Sequence, residues 1–126
     1  MIKTIKNNKG FTLVELIVVM AVIAIISAIA VPKFLKVQDR AKEDADYATG
    51  AMIAKAAELY KAKEKSSTDT DAAELVSSGY MNEIEFKSDK LSKYTAKDVQ
   101  ITFLDGVTTV KIHPSEGEDI TLYPIK

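Results

Sequence analysis

The chain has no cysteine and no tryptophan, one histidine, three prolines and five glycines in 126 residues. Without cysteine there is no disulfide framework, no thiolate nucleophile and no cysteine metal site. A small extracellular domain lacking disulfides must hold itself together by packing or by assembly. No glycine-rich phosphate loop is present, so any NTPase chemistry belongs to another protein. The lone His113 has no serine or acid spaced around it as a catalytic set, and no enzyme is expected. Net charge is −1. Removing the first ten residues would take away Lys3, Lys6 and Lys9 while leaving all 18 acidic side chains. That is not the basic surface of a nucleic-acid-binding protein, and no nucleic-acid partner is expected for the isolated head.

The scarcest thing is charge between Phe11 and Val31. This run of about twenty mostly apolar residues holds only Glu15. As a helix it would span about 30 Å, the thickness of a bilayer's hydrocarbon core. An acidic residue in such a span costs roughly 3 kcal/mol, so Glu15 is a functional candidate that needs a partner. The cationic start at Lys3, Lys6 and Lys9 sets the orientation: a short cytoplasmic N-terminus and a single pass through the cytoplasmic membrane. Ala28-Ile29-Ala30 also fits a conventional secretory cleavage site. Against that reading, Glu15 interrupts the apolar region and the helical pattern runs on past Ala30.

Pro32 closes the apolar run. In a helix interior it removes one hydrogen bond and kinks or unwinds the chain locally. Beyond it Phe34, Val37, Ala41, Ala45, Ala48, Met52, Ala56 and Leu59 recur at steps of three and four. This spacing predicts the buried face of an amphipathic helix, with Lys36, Asp39, Arg40, Lys42, Glu43, Asp46 and Lys55 facing water. Lys33, Lys36, Arg40 and Lys42 lie just outside the span, where lipid phosphates or acidic neighbours can meet them. Lys63 to Thr70 reads as a loop. Asp71 and Glu74 are spaced as a capping box for a helix over 72–78 that Gly79 ends. Val99, Ile101 and Phe103 alternate, and Asp105-Gly106 supplies a hairpin turn that pairs Ile101 with Val110 and Val99 with Ile112. Ile120, Leu122 and Pro124 suggest a third strand, and Glu83 to Lys87 an edge strand. Ser115, Glu116, Glu118 and Asp119 form an acidic turn whose spacing matches no calcium loop. No cofactor and no metal is expected. Thr12 and Ser27 are read as bonding back into their helix.

The segment Lys9-Gly10-Phe11-Thr12-Leu13-Val14-Glu15, continuing through Leu16-Ile17-Val18-Val19, resembles the class III signal of type IV pilins and the pseudopilins of type II secretion. The resemblance is specific from Lys9 to about Pro32. It implies cleavage by a prepilin peptidase between Gly10 and Phe11, N-methylation of Phe11 as the new terminus, and an assembly role for Glu15. It also implies a helical homopolymer of this chain, a separate assembly ATPase and a membrane platform protein. The subunit would wait in membrane lipid and then enter a surface pilus, or a short pseudopilus.

The expected fold is α+β. A long helix, transmembrane in its first half and amphipathic in its second, packs on a small antiparallel sheet. The expected organisation is a leader over 1–10, a transmembrane and filament-core helix over 11–31, with a kink at Pro32, and a head over 32–126. The functional reading is a pilus subunit. A pseudopilin of a secretion or DNA-uptake machine shares the same motif. A secreted or anchored binding domain that never assembles is the alternative of another class.

Overall fold

The computed structural model describes residues 9–66 and 68–125. The expectations resting on Lys3 and Lys6 lie outside them. Two compact units divide the chain, the first ending at Val37 and the second beginning at Gln38. The elements are helix α1 (Leu13–Glu64), strand β1 (Thr70–Asp71), helix α2 (Ala72–Ser77), a 3-10 turn (Ala96–Asp98), β2 (Val99–Leu104), β3 (Val107–Ile112) and β4 (Ile120–Tyr123).

In the first unit the apolar side chains find no partner. Leu13 through Val31 are exposed at every position. Helix α1 continues through Pro32, so the proline does not end it. The helix is long and apolar enough to cross a membrane, and none of its apolar stretch is buried.

The second unit has an α+β core. The sheet runs in the order β1-β2-β3-β4 with every neighbouring pair antiparallel. Its inner face presents Val99, Ile101, Val110, Ile112 and Leu122. These meet Ile53, Ala54 and Ala57 of α1, Ala72 and Leu75 of α2, and Phe86 and Leu91 of the long connection. The β2–β3 register is the expected one: Val99 opposite Ile112 and Ile101 opposite Val110. Asp105 and Gly106 both take positive φ, 49° and 79°, as the two-residue I′ turn requires.

Helix α2 has the expected N-cap at Asp71, but only that half of the expected capping box forms. Asp71 accepts the Glu74 amide at 2.7 Å, while the Glu74 carboxylate takes the Ser78 hydroxyl at 3.3 Å. At its end Tyr80 N–H bonds the Leu75 carbonyl and Gly79 N–H the Val76 carbonyl. Gly79 sits at φ 78°, the left-handed residue of a Schellman stop.

Four expectations are corrected. The buried face of α1 is Asp46, Gly50, Ile53, Ala54 and Ala57, not the stripe through Ala41, Ala45, Ala48, Met52 and Leu59, all of which are exposed. The sheet takes the face that carries Gly50, where no side chain stands between the helix and β4. A Cβ on Gly50 would lie 2.6 Å from the Leu122 Cβ. Asp46, read as solvated, is 1% exposed. It accepts the amides of Lys87 and Ser88 at 2.6 and 2.9 Å.

Those two bonds explain the second correction: Glu83–Lys87 is not a strand. A carboxylate, not a neighbouring strand, satisfies the amides at its end. The edge strand is β1 instead, formed by the last residue of the stretch read as loop and the N-cap residue Asp71, with Thr70 opposite Ile101. Third, α1 extends one turn-edge into that stretch, to Glu64. Fourth, Pro124 falls just past β4, which ends at Tyr123. Lacking an N–H, it cannot extend the ladder.

Candidate processing and assembly site

Lys9 to Thr12 precede the helix, and α1 begins at Leu13. Gly10 is exposed, and a Cβ added to it would meet nothing within 4 Å. Nothing in the chain's own fold therefore calls for glycine there. Phe11 is 95% exposed.

Thr12 and Glu15 cap the helix reciprocally. The Glu15 amide donates to Thr12 Oγ1 at 3.2 Å. The Thr12 amide donates to Glu15 Oε2 at 2.8 Å. Leu16 N–H closes the first turn on the Thr12 carbonyl. This is a capping box, with Thr12 at N-cap and Glu15 at N3. The carboxylate also sits where the helix dipole favours negative charge. The spacing Thr-x-x-Glu is in the sequence and could have revealed the cap. The cap uses one position on one carboxylate oxygen, and a carboxylate has about four. Capacity remains for a cationic partner.

The other candidates fall apart spatially or into ordinary structure. Lys42 reaches Asp89 at 3.5 Å, and the neighbouring Lys90 reaches Glu43 at 3.2 Å. Tyr60 packs edge-on against Tyr80 with centroids 5.3 Å apart. His113 pairs with Asp119 of the acidic turn. Among the described residues no three His, Asp or Glu side chains converge as a metal-binding group.

Residues 5–31 match the family described as the prokaryotic N-terminal methylation motif. The chain is similar to the prepilin peptidase-dependent protein A of Clostridium perfringens, 35% identical over 96 residues, covering 75% of this chain and 69% of that protein. The chain belongs to the type IV pilin family. It is also similar to the type IV wide pilus major component PilA4 of Thermus thermophilus, 39% identical over 74 residues, 59% of this chain and 56% of that one. To the type IV major pilin protein PilA of Myxococcus xanthus it is 54% identical over 37 residues, 29% of this chain and 17% of that one. This pilin thus spans less than two thirds of the Thermus and Myxococcus relatives it matches. No solved structure matches it.

Proposed function

We propose that the chain is the structural subunit of a type IV pilus, made as a prepilin, cleaved after Gly10, N-methylated at Phe11 and assembled through its N-terminal helix. The observation that carries this is the exposed apolar half of α1, whose one charge, Glu15, stands four residues after Phe11 within the methylation motif. An apolar helix that its own chain leaves bare needs lipid first and sister helices afterwards. The open space at Gly10 supports an outside reason for that glycine: a peptidase must lay the scissile backbone into its site, and glycine offers no Cβ obstacle.

Cleavage creates an α-amine on Phe11, cationic near neutral pH. In an apolar filament core that amine and the carboxylate of Glu15 are both costly alone, and pairing between neighbouring subunits relieves both. Four residues separate them, an axial rise of about 6 Å, so the pairing favours one stagger between neighbours. Pro32 marks where the helix, lacking one backbone bond, can bend between filament core and head. The protein acts by assembling rather than by catalysis. Before assembly it crosses the cytoplasmic membrane once with its N-terminus inside. Afterwards it lies in a surface filament. A prepilin peptidase, an assembly ATPase and a membrane platform are its separate partners. The Thermus and Myxococcus relatives are pilus components by name, which favours a pilus over a pseudopilus.

Intact mass spectrometry of the mature protein tests this. The expected start is Phe11 with one added methyl group. A start at Val31 would mean conventional secretion and would overturn the proposal.

A further inference from the structure

Past Val31 the first unit ends in Pro32-Lys33-Phe34-Leu35-Lys36-Val37. Every residue of this stretch is exposed. Among the described residues neither Lys33 nor Lys36 forms an ion pair. Phe34, Leu35 and Val37, set around them, are left bare as well. The two lysines stand three apart in one helix. They share a face, with Cβ atoms about 5–6 Å apart, so one phosphate can meet both ammoniums.

Their position along α1 indicates what they meet. At 1.5 Å per residue they stand about 30 and 35 Å from Leu13, where α1 begins. A hydrocarbon core is about 30 Å thick, and the headgroups add about 5–7 Å on each side. A span with Leu13 at the inner edge therefore puts both lysines in the outer headgroup layer. Phe34 falls at the same level, where aromatic rings collect. Lysine stems lie along apolar surface there while the ammonium reaches the phosphates.

The charge balance adds a second argument. Basic side chains on the outer side of a span work against its orientation. In the precursor Lys3, Lys6 and Lys9 oppose them from the other end. Cleavage after Gly10 would remove all three and leave no lysine or arginine before Lys33. The retained outer lysines then need an anion of their own.

We propose that Lys33 and Lys36 grip an anionic phospholipid headgroup in the outer leaflet and so hold the processed subunit in the bilayer until it assembles. This rests on the membrane stage of the filament reading and names its lipid partner.

The absence of tryptophan provides the test. The full chain carrying Phe34→Trp is reconstituted in phosphatidylcholine vesicles with a minor share of phosphatidylglycerol. In one set the phosphatidylglycerol has brominated acyl chains; in the other an equal amount of the phosphatidylcholine has them. Bromine quenches only an adjacent indole. Brominated phosphatidylglycerol should quench at least about twofold more, as expected for two lysines at a charged surface. Lys33→Gln with Lys36→Gln should remove the excess, and Lys33→Arg with Lys36→Arg should keep it. Equal quenching by the two lipids, or an excess that survives the glutamine pair, overturns the proposal. So does an excess abolished by inorganic phosphate but not by chloride of equal ionic strength, which would mean a site for free phosphate. If no excess exists and the glutamine pair lowers filament yield, the lysines serve carboxylates of a sister subunit, and the lipid contact again falls. All these outcomes leave the filament reading standing, since that reading is decided by the mass of the mature protein. Should Phe34→Trp fail to insert, Leu35→Trp repeats the measurement.

Discussion

Glu15 has one observed role and one proposed role, and a single substitution would blur them. It caps its own helix through Thr12, and in the proposed filament it meets the Phe11 amine of a neighbour. Glu15→Gln keeps an acceptor for the Thr12 amide and removes the charge. Glu15→Ala removes both. Losing one partner of a buried charge pair costs about 3–5 kcal/mol, so both variants should insert and be processed, yet release roughly a hundredth or less of the normal filament on shearing. Normal yield from Glu15→Gln, with Phe11 confirmed as the terminus, would show that only the cap matters. Gly10, Phe11 and Glu15 could be proposed from the sequence because they are near one another in the chain and their chemistry is extreme: one charge in an apolar run. Asp46 was not legible. On paper it is one more acid among charged neighbours on the helix. Only the fold brings the amides of Lys87 and Ser88 onto it, from 41 and 42 residues away.

At the level of elements, the contact between α1 and β4 is set by a missing side chain. The site of a Gly50 Cβ lies 2.6 Å from the Leu122 Cβ and 3.0 Å from the Leu122 carbonyl oxygen. Alanine there improves helix propensity by about 1 kcal/mol. It also presses a methyl onto the Leu122 Cβ and carbonyl, and such overpacking costs about 1–3 kcal/mol. The clash should win. Gly50→Ala in the detergent-solubilised full chain should melt about 5 °C lower or more. A higher melting temperature would mean that the two elements separate freely. A second contact ties the end of α1 to the turn after α2: Tyr80 donates its hydroxyl to Glu64 at 2.9 Å. That hydrogen bond first, then burial and the Glu64 charge, raise the Tyr80 pKa above its ordinary value near 10. A raised pKa means the folded state holds the phenol proton more tightly. The contact is therefore fully present below about pH 10 and is lost as pH rises through the raised value. In a phenolate absorbance titration, Tyr80→Phe should remove a component from the alkaline side of pH 10. An unchanged curve would count against the bond.

For the whole molecule, the division at Val37 separates two kinds of stability. The second unit closes a core of α1, α2 and the sheet, while the apolar half of α1 buries nothing within the chain. A chain starting at Gln38 should be soluble, folded and monomeric, and should not enter filaments. Size-exclusion chromatography and circular dichroism would check it. An aggregated or unfolded product would mean that the second unit depends on the first.

The sequence by itself determined the exposed apolar helix, the match to the methylation motif, the hairpin register and the N-cap of α2. Each depends on residues close together in the chain or on a period of two, where the next apolar side chain must point the same way. Only the tertiary structure decided which face of α1 is buried, because periodicity detects an apolar stripe but not what will cover it. It also decided that Thr70–Asp71, and not Glu83–Lys87, forms the edge strand. An amide needs an acceptor but has no preference between a strand carbonyl and a carboxylate. Where Asp46 stands in space settles which one it meets.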